Sequence, residues 1–255
     1  MLSRLLDIFF PRHSLTGTEG GWITESERRS MRTFPVRLHK EILRKRDLKN
    51  LDCLIAAGSY SESPLLRKAI HSFKYLRIKD LGKELADKIA SALPGLLTLP
   101  DKFNPKLNSQ LPAPPKSATA DEGGSIINSL LTEALAKAGQ LRPVLCPVPL
   151  HWTRKFHRGF NQAEVIAQSL SAKTGWPVIQ LLKRSKPTGH QAFRTRTERF
   201  EAMQDVFVSI AKSQTPLCVL LIDDVFTTGA TMDSCAKALK RAGVKFVAGL
   251  VAAHG

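Results

Sequence analysis

The sequence predicts an α/β protein: an open, mostly parallel sheet with flanking helices and a helical extension at the amino end. Three observations carry that expectation. Leu217 to Ile222 is a continuous apolar run, the pattern of a parallel strand covered on both faces. A helical segment from Thr231 to Arg241 follows within a few residues, with Gly243 just past its end as a stop signal. Phe246 to Ala253 then reads as a further strand. Strand–helix–strand alternation favours parallel pairing through right-handed crossovers.

Taken in order, the elements divide the chain into a basic amino-terminal extension, residues 1–50, and one domain, residues 51–255. Met1 to Pro11 carries a short apolar run broken by Asp7. Pro11 and Arg12 follow it rather than a small-residue cleavage site, so an amphipathic first helix is expected, not a signal peptide. Arg28 to Lys49 is rich in Arg and Lys and reads as a solvated helical face. Leu51 to Gly58 is the first strand candidate. Pro64 suits a first helical turn, and Leu65, Leu66, Ala69, Ile70 and Phe73 recur with helical spacing. A second helix is expected from about Lys79 to Leu93. Residues 94–125, rich in Pro, Ser and Gly, lack periodicity and read as an inserted loop, followed by a short helix from Ser125 to Lys137. Val144 to Val148 is a buried strand, and Asn161 to Lys173 a helix capped by Asn161 and closed by Gly175.

Composition narrows the function classes. The formal net charge is +16 over 255 residues, which suits nucleic acid, phosphorylated metabolites or an anionic surface. Four cysteines, Cys53, Cys146, Cys218 and Cys235, show no C-x-x-C spacing, so a disulfide framework and a cysteine zinc site are both unexpected. No stretch approaches the ~18 apolar residues of a membrane span, and a reducing, cytoplasmic setting is expected.

The chemistry concentrates in Leu220-Leu-Ile-Asp223-Asp224-Val-Phe-Thr227-Thr228-Gly229-Ala230-Thr231. An apolar strand runs out at two carboxylates, a loop of small residues follows, and a helix begins. Small residues let backbone N–H groups approach an anion, and the helix N-terminus adds partial positive charge. The hydroxyls of Thr227, Thr228 and Thr231 add donors to phosphate oxygens. Asp223 and Asp224 would repel that phosphate, so vicinal sugar hydroxyls are their apt partner. The competing interpretation is an Asp-rich turn in which Thr merely caps a helix. Upstream, Arg154, Lys155 and Arg158 precede Gly159-Phe160-Asn161-Gln162 and supply cations suited to a pyrophosphate. From Lys183 to Phe200 six cations face one acid, with Pro187 and Gly189, which describes a mobile basic loop containing Arg194. The histidines nearby in sequence, His151, His157 and His190, single out no general base.

The Asp223–Thr231 string resembles the 5-phosphoribosyl-1-pyrophosphate (PRPP) signature of type I phosphoribosyltransferases. With the Arg158-Gly-Phe-Asn-Gln162 block, the Gln191 and Arg194 loop, and the helix ending Phe73-Lys74-Tyr75, the chain resembles the ComF family. That resemblance implies a phosphoribosyltransferase-like fold with an amino-terminal hood. It assigns the ribose hydroxyls to Asp223 and Asp224, and the 5′-phosphate to Thr227, Thr228, Gly229, Ala230 and Thr231. It also implies Mg²⁺ carried with PRPP, pyrophosphate neutralised by Arg154, Lys155 and Arg158, and Asp223, Asp224 and Arg194 as catalytic groups. The partners implied are PRPP with a nitrogen nucleophile, or single-stranded DNA and competence proteins, and a homodimer is compatible. ComF-like chains commonly begin with a four-cysteine zinc module; here Arg12-His13-Ser14 stands where its first cysteines would fall, and no zinc is expected. An enzyme and a non-catalytic binding module both remain open.

Overall fold

The computed structural model describes residues 12–19, 21–31, 34–93, 143–150, 156, 158–185, 206–211 and 215–255. Among them seven strands are seen: β1 (Val36–His39), β2 (Cys53–Ser59), β3 (Val144–Pro147), β4 (Leu182–Arg184), β5 (Phe207–Ser209), β6 (Cys218–Phe226) and β7 (Phe246–His254). The helices are α1 (Glu25–Ser30), α2 (Lys40–Lys45), α3 (Pro64–Tyr75), α4 (Leu81–Ser91), α5 (Gln162–Thr174) and α6 (Ala230–Arg241).

Five strands form one sheet in the order β1-β2-β7-β6-β3, parallel throughout except for β1, which pairs antiparallel to β2. Beyond β3, the Leu145 N–H donates to Pro177 O at 2.9 Å and the Ile179 N–H to Leu145 O at 2.9 Å, a short rung on that edge. The side-chain period of two sorts the strands into two cores. Ile55, Leu220 and Leu250 face α3, α4 and α5, where Ile70, Leu85 and Ile166 meet them. Leu54, Leu221 and Val251 face α6 and the β4–β5 ribbon, packing with Met232, Leu239 and Phe207. This is the expected sheet with helices on both faces. It brings the carboxyl ends of β2, β7, β6 and β3 to one rim, where ligands settle in such sheets.

Local chemistry explains the elements that matter for the site. Asn161 Oδ1 accepts the Ala163 N–H at 3.1 Å, and Gly175 takes φ 67° at the far end, so α5 starts and stops where its caps require. Gly249 in β7 lies under α6. A Cβ there would collide with Met232 Sδ and come within 2.7 Å of Leu54 Cδ1, so only glycine lets the helix sit this close.

Three expectations need correction. The strand carrying the paired acids does not stop at them: β6 runs on to Phe226, because Asp223 and Val225 still pair with Val251 and Ala253 of β7. The basic run from Arg28 to Lys49 is not one solvated helical face; it folds into the end of α1, the edge strand β1 and the six-residue α2, with Met31, Leu43 and Leu48 fully buried. Lys183 and Arg184 are not loop but part of β4, paired with Phe207 and Val208 of β5. The expected first helix, the 94–125 insertion and the Ser125–Lys137 helix lie outside the described residues, as do 186–200. No helix among the described residues is long and apolar enough to cross a membrane.

Candidate functional site

β6 carries its two acids to the rim between α3 and α6. Neighbouring strand residues project to opposite sides, and the carboxylates meet different surroundings. Asp224 is buried and turned toward α3, where Lys74 Nζ lies 2.8 Å from its Oδ1. The pair is well shielded, with side-chain exposures of 17% for Lys74 and 8% for Asp224. Asp223, half-buried, accepts the Asp224 N–H at 2.8 Å through Oδ1. Burial, and then the charge of Asp224, raise its pKa to about 7; that N–H, Lys74 and Arg158 pull the other way. A carboxyl group poised at neutrality in a cleft is a mark of a functional position.

After Phe226 the chain bends through Thr227 and Thr228 to Gly229, which takes φ 81° as the N-cap of α6. A Cβ on Gly229 would sit 2.6 Å from the Phe226 ring and 2.7 Å from Leu48 Cδ1, so both dihedral and space demand glycine. Leu48, from the loop after α2, thus backs the turn. That loop is fixed by Asp233, in the first turn of α6. Its Oδ1 accepts the Asn50 and Leu51 N–H groups at 2.8 and 3.2 Å, and its Oδ2 the Asn50 side-chain amide at 2.7 Å. Thr227 is exposed, and Thr228 Oγ1 accepts the Ala230 N–H at 3.4 Å. The opening N–H groups of α6 have no intrahelical acceptor, so the helix start presents backbone donors a few residues past the acids.

The cationic side comes from the start of α5 and the end of α3. Arg158 Nη1 donates to Gln162 Oε1 at 3.2 Å, and its guanidinium lies 5.6 Å from the Tyr75 ring centroid. Tyr75 is 60% exposed and tilted against His71 at 4.7 Å. Gln162 is 2% exposed, and its Nε2 has no acceptor among the described residues, an orphaned buried donor beside the cleft. On the opposite side His254 stacks on Phe226 at 5.9 Å, with Arg46 Nη1 2.9 Å from its Nε2; burial, then Arg46, lower its pKa.

Of the residues the sequence singles out, Asp223, Asp224, Thr227, Thr228, Gly229, Ala230 and Thr231 form one continuous strand end, turn and helix start. Arg158 lies close enough to act electrostatically on Asp223. Arg154, Lys155 and Arg194, with His151, His157 and His190, lie outside the described residues. Lys74 and Gln162 are not singled out as site residues by the sequence. Lys74 had a signal, a cation closing the polar face of an amphipathic helix; Gln162 had only its place beside the N-cap. Among the described residues no group of three or more His, Cys, Asp or Glu is placed to hold a metal ion.

Comparison with known proteins gives consistent relatives. Competence protein F of Haemophilus influenzae is 34% identical over 109 residues, covering 42% of this chain and 48% of its own. Competence protein ComFC of Bacillus subtilis is 32% identical over 122 residues, 46% of this chain and 48% of its own. The ComFC of Streptococcus pneumoniae is 32% identical over 122 residues, 48% and 52% respectively. The chain thus spans about half the length of the curated relatives it matches. No family model matches it.

Proposed function

We propose that this chain, which those relatives support as a ComF-family protein, binds PRPP and transfers the phosphoribosyl group to a nitrogen acceptor, releasing pyrophosphate. The observation that supports this most is the juxtaposition of a carboxyl group poised near neutrality, Asp223, with a glycine-closed turn of backbone donors two residues past Asp224.

The 5′-phosphate would lie against the turn from Thr227 to Thr231, bound by N–H groups, threonine hydroxyls and the α6 dipole. Asp223 would accept hydrogen bonds from the ribose hydroxyls and lose its proton as it does so. Asp224 would join it once the Lys74 ammonium transfers its contact to the ligand's phosphate oxygens. The anomeric carbon–oxygen bond to pyrophosphate then breaks as the carbon–nitrogen bond forms, and the carboxylates stabilise positive charge developing on the ribose. Lys74 and Arg158 neutralise the departing pyrophosphate, with Gln162 Nε2 as a further donor. Mg²⁺ carried with PRPP would supply Lewis-acid withdrawal of charge at this site, with Asp223 and Asp224 the carboxylates at hand.

Titration calorimetry with PRPP and Mg²⁺ tests the reading: binding heat is expected for the parent chain and none for Asp223→Ala or Asp224→Ala. Equal heats from parent and variants would reject the site. A second reading is a competence-type protein that binds PRPP or single-stranded DNA without turnover. The +16 net charge favours it, together with the exposed Tyr75 ring (60%) lying against the Arg158 guanidinium. PRPP binding without pyrophosphate release across a panel of bases, amines and ammonia would select that reading.

A further inference from the structure

The amino-terminal turn is closed by a buried carboxylate where the family resemblance implies a four-cysteine zinc module. Residues 14–31 fold back so that two pairs, each separated by two residues, come together: Ser14 with Gly17, and Thr24 with Glu27. Structural zinc modules use this same spacing for paired cysteines. Here the four positions carry a hydroxyl, a hydrogen, a hydroxyl and a carboxylate, which is no zinc ligand set. His13 and Glu19, the other candidate ligands in the turn, are exposed and 3.9 Å from each other at its open end.

The carboxylate is already fully engaged. Glu27 is 4% exposed. Its Oε1 accepts from the Ser14 hydroxyl at 2.9 Å and from the Thr16 N–H, and its Oε2 accepts the Thr24 N–H at 2.7 Å. Thr24 Oγ1 in turn accepts the Glu27 N–H at 3.2 Å, completing a capping box on α1. Ser14 is itself locked: its Oγ accepts the Thr18 N–H at 3.1 Å and its backbone O the Gly17 N–H at 3.0 Å. Although burial opposes it, these donors hold the Glu27 pKa down to about 2. The closed turn is fastened to the domain. Leu15 and Met31 enter the core, Arg28 grips Glu84 of α4 through two bonds of 2.8 and 2.6 Å, and Lys88 caps the Arg28 and Met31 carbonyls at 3.1 and 2.8 Å.

We infer that Glu27 replaces a metal centre: its hydrogen bonds to Ser14, Thr16 and Thr24 close the amino-terminal turn, which Arg28 and Lys88 fasten to α4, and the turn folds without zinc. Full-length protein produced in zinc-supplemented medium should carry far less than one zinc per chain by elemental analysis, and its melting temperature should not move with a strong chelator. Glu27→Gln, which keeps shape but loses the charge, should lower the melting temperature by several degrees in chelated and unchelated samples alike. Should that variant fail to fold, Ser14→Ala, which removes one donor, should still lower it by about 2–4 °C. Stoichiometric zinc whose removal lowers the melting temperature would overturn the inference. So would a Glu27→Gln or Ser14→Ala protein that melts with the parent.

Discussion

Glu27 and Asp223 are both acids withdrawn from solvent, one in the amino-terminal turn and one at the end of β6, and their surroundings drive them in opposite directions. Glu27 receives donors from Ser14, Thr16 and Thr24 and is held anionic, with a pKa of about 2. Among the described residues Asp223 receives only the N–H of its neighbour, and burial with the charge of Asp224 raises it to about 7. Burial costs both groups; the number of N–H and O–H donors decides the outcome. A satisfied carboxylate stabilises the fold that surrounds it. An under-satisfied one keeps acceptor capacity for something that arrives later, at a cost in stability that functional sites commonly carry.

The largest test of this contrast falls on the cation paired with Asp224. Lys74→Met should destabilise by about 3–5 kcal/mol, since removing one partner of a shielded pair leaves an uncompensated charge. Adding Asp224→Asn to that variant should recover much of the loss. Chemical denaturation of the two single variants and the double measures it, and purely additive losses would show that the pair is not coupled. A smaller effect belongs to the turn. Gly229→Ala needs φ 81° from a residue with a Cβ and drives that Cβ into Phe226 and Leu48, so a loss of about 1–3 kcal/mol is expected. The same variant should weaken PRPP affinity, measured by titration calorimetry on the folded fraction. A variant as stable as the parent would mean that Leu48 does not back the turn.

Much of the sheet and the turn is legible in the sequence because local and tertiary preferences agree there. The apolar run into β6, the caps Asn161 and Gly175, and the glycine turn before α6 each announce themselves within a dozen residues. What escapes is set by partners distant in sequence. β6 looks finished at Ile222, yet pairing with β7, which no local pattern reveals, carries it through the acids to Phe226. β1 and α2 are hidden in a basic run because Leu38, Leu43 and Leu48 recur every five residues, a spacing that fits neither the strand nor the helix period, and burial appears only when β2 and α6 are in place. The fate of Glu27 is equally hidden: as a sequence feature it is one of two acids ahead of a pair of arginines, and only the fold brings Ser14 and Thr16 to it.

The two carboxylates should also separate by pH, with effects of a few degrees. Asp223 has a folded pKa of about 7 against an ordinary 3.8, so between those values the folded chain retains a proton that the unfolded chain has released. Its burden on stability is absent below about pH 4, grows as pH rises, and is complete above pH 7. Asp223→Asn should therefore raise the melting temperature at pH 8, by about 2–4 °C for each kcal/mol relieved, and the gain should vanish near pH 4. Glu27 runs the other way: its pKa falls from 4.5 to about 2, so its contribution is whole above pH 4.5 and is lost as the medium is acidified toward pH 2. Glu27→Gln should cost most at neutral pH and converge on the parent in acid. Melting curves of parent and both variants from pH 3 to 8 place the slopes side by side. Parallel curves for Asp223→Asn and the parent would mean that Lys74 and Arg158 already neutralise the site, and that Asp223 is as well satisfied as Glu27.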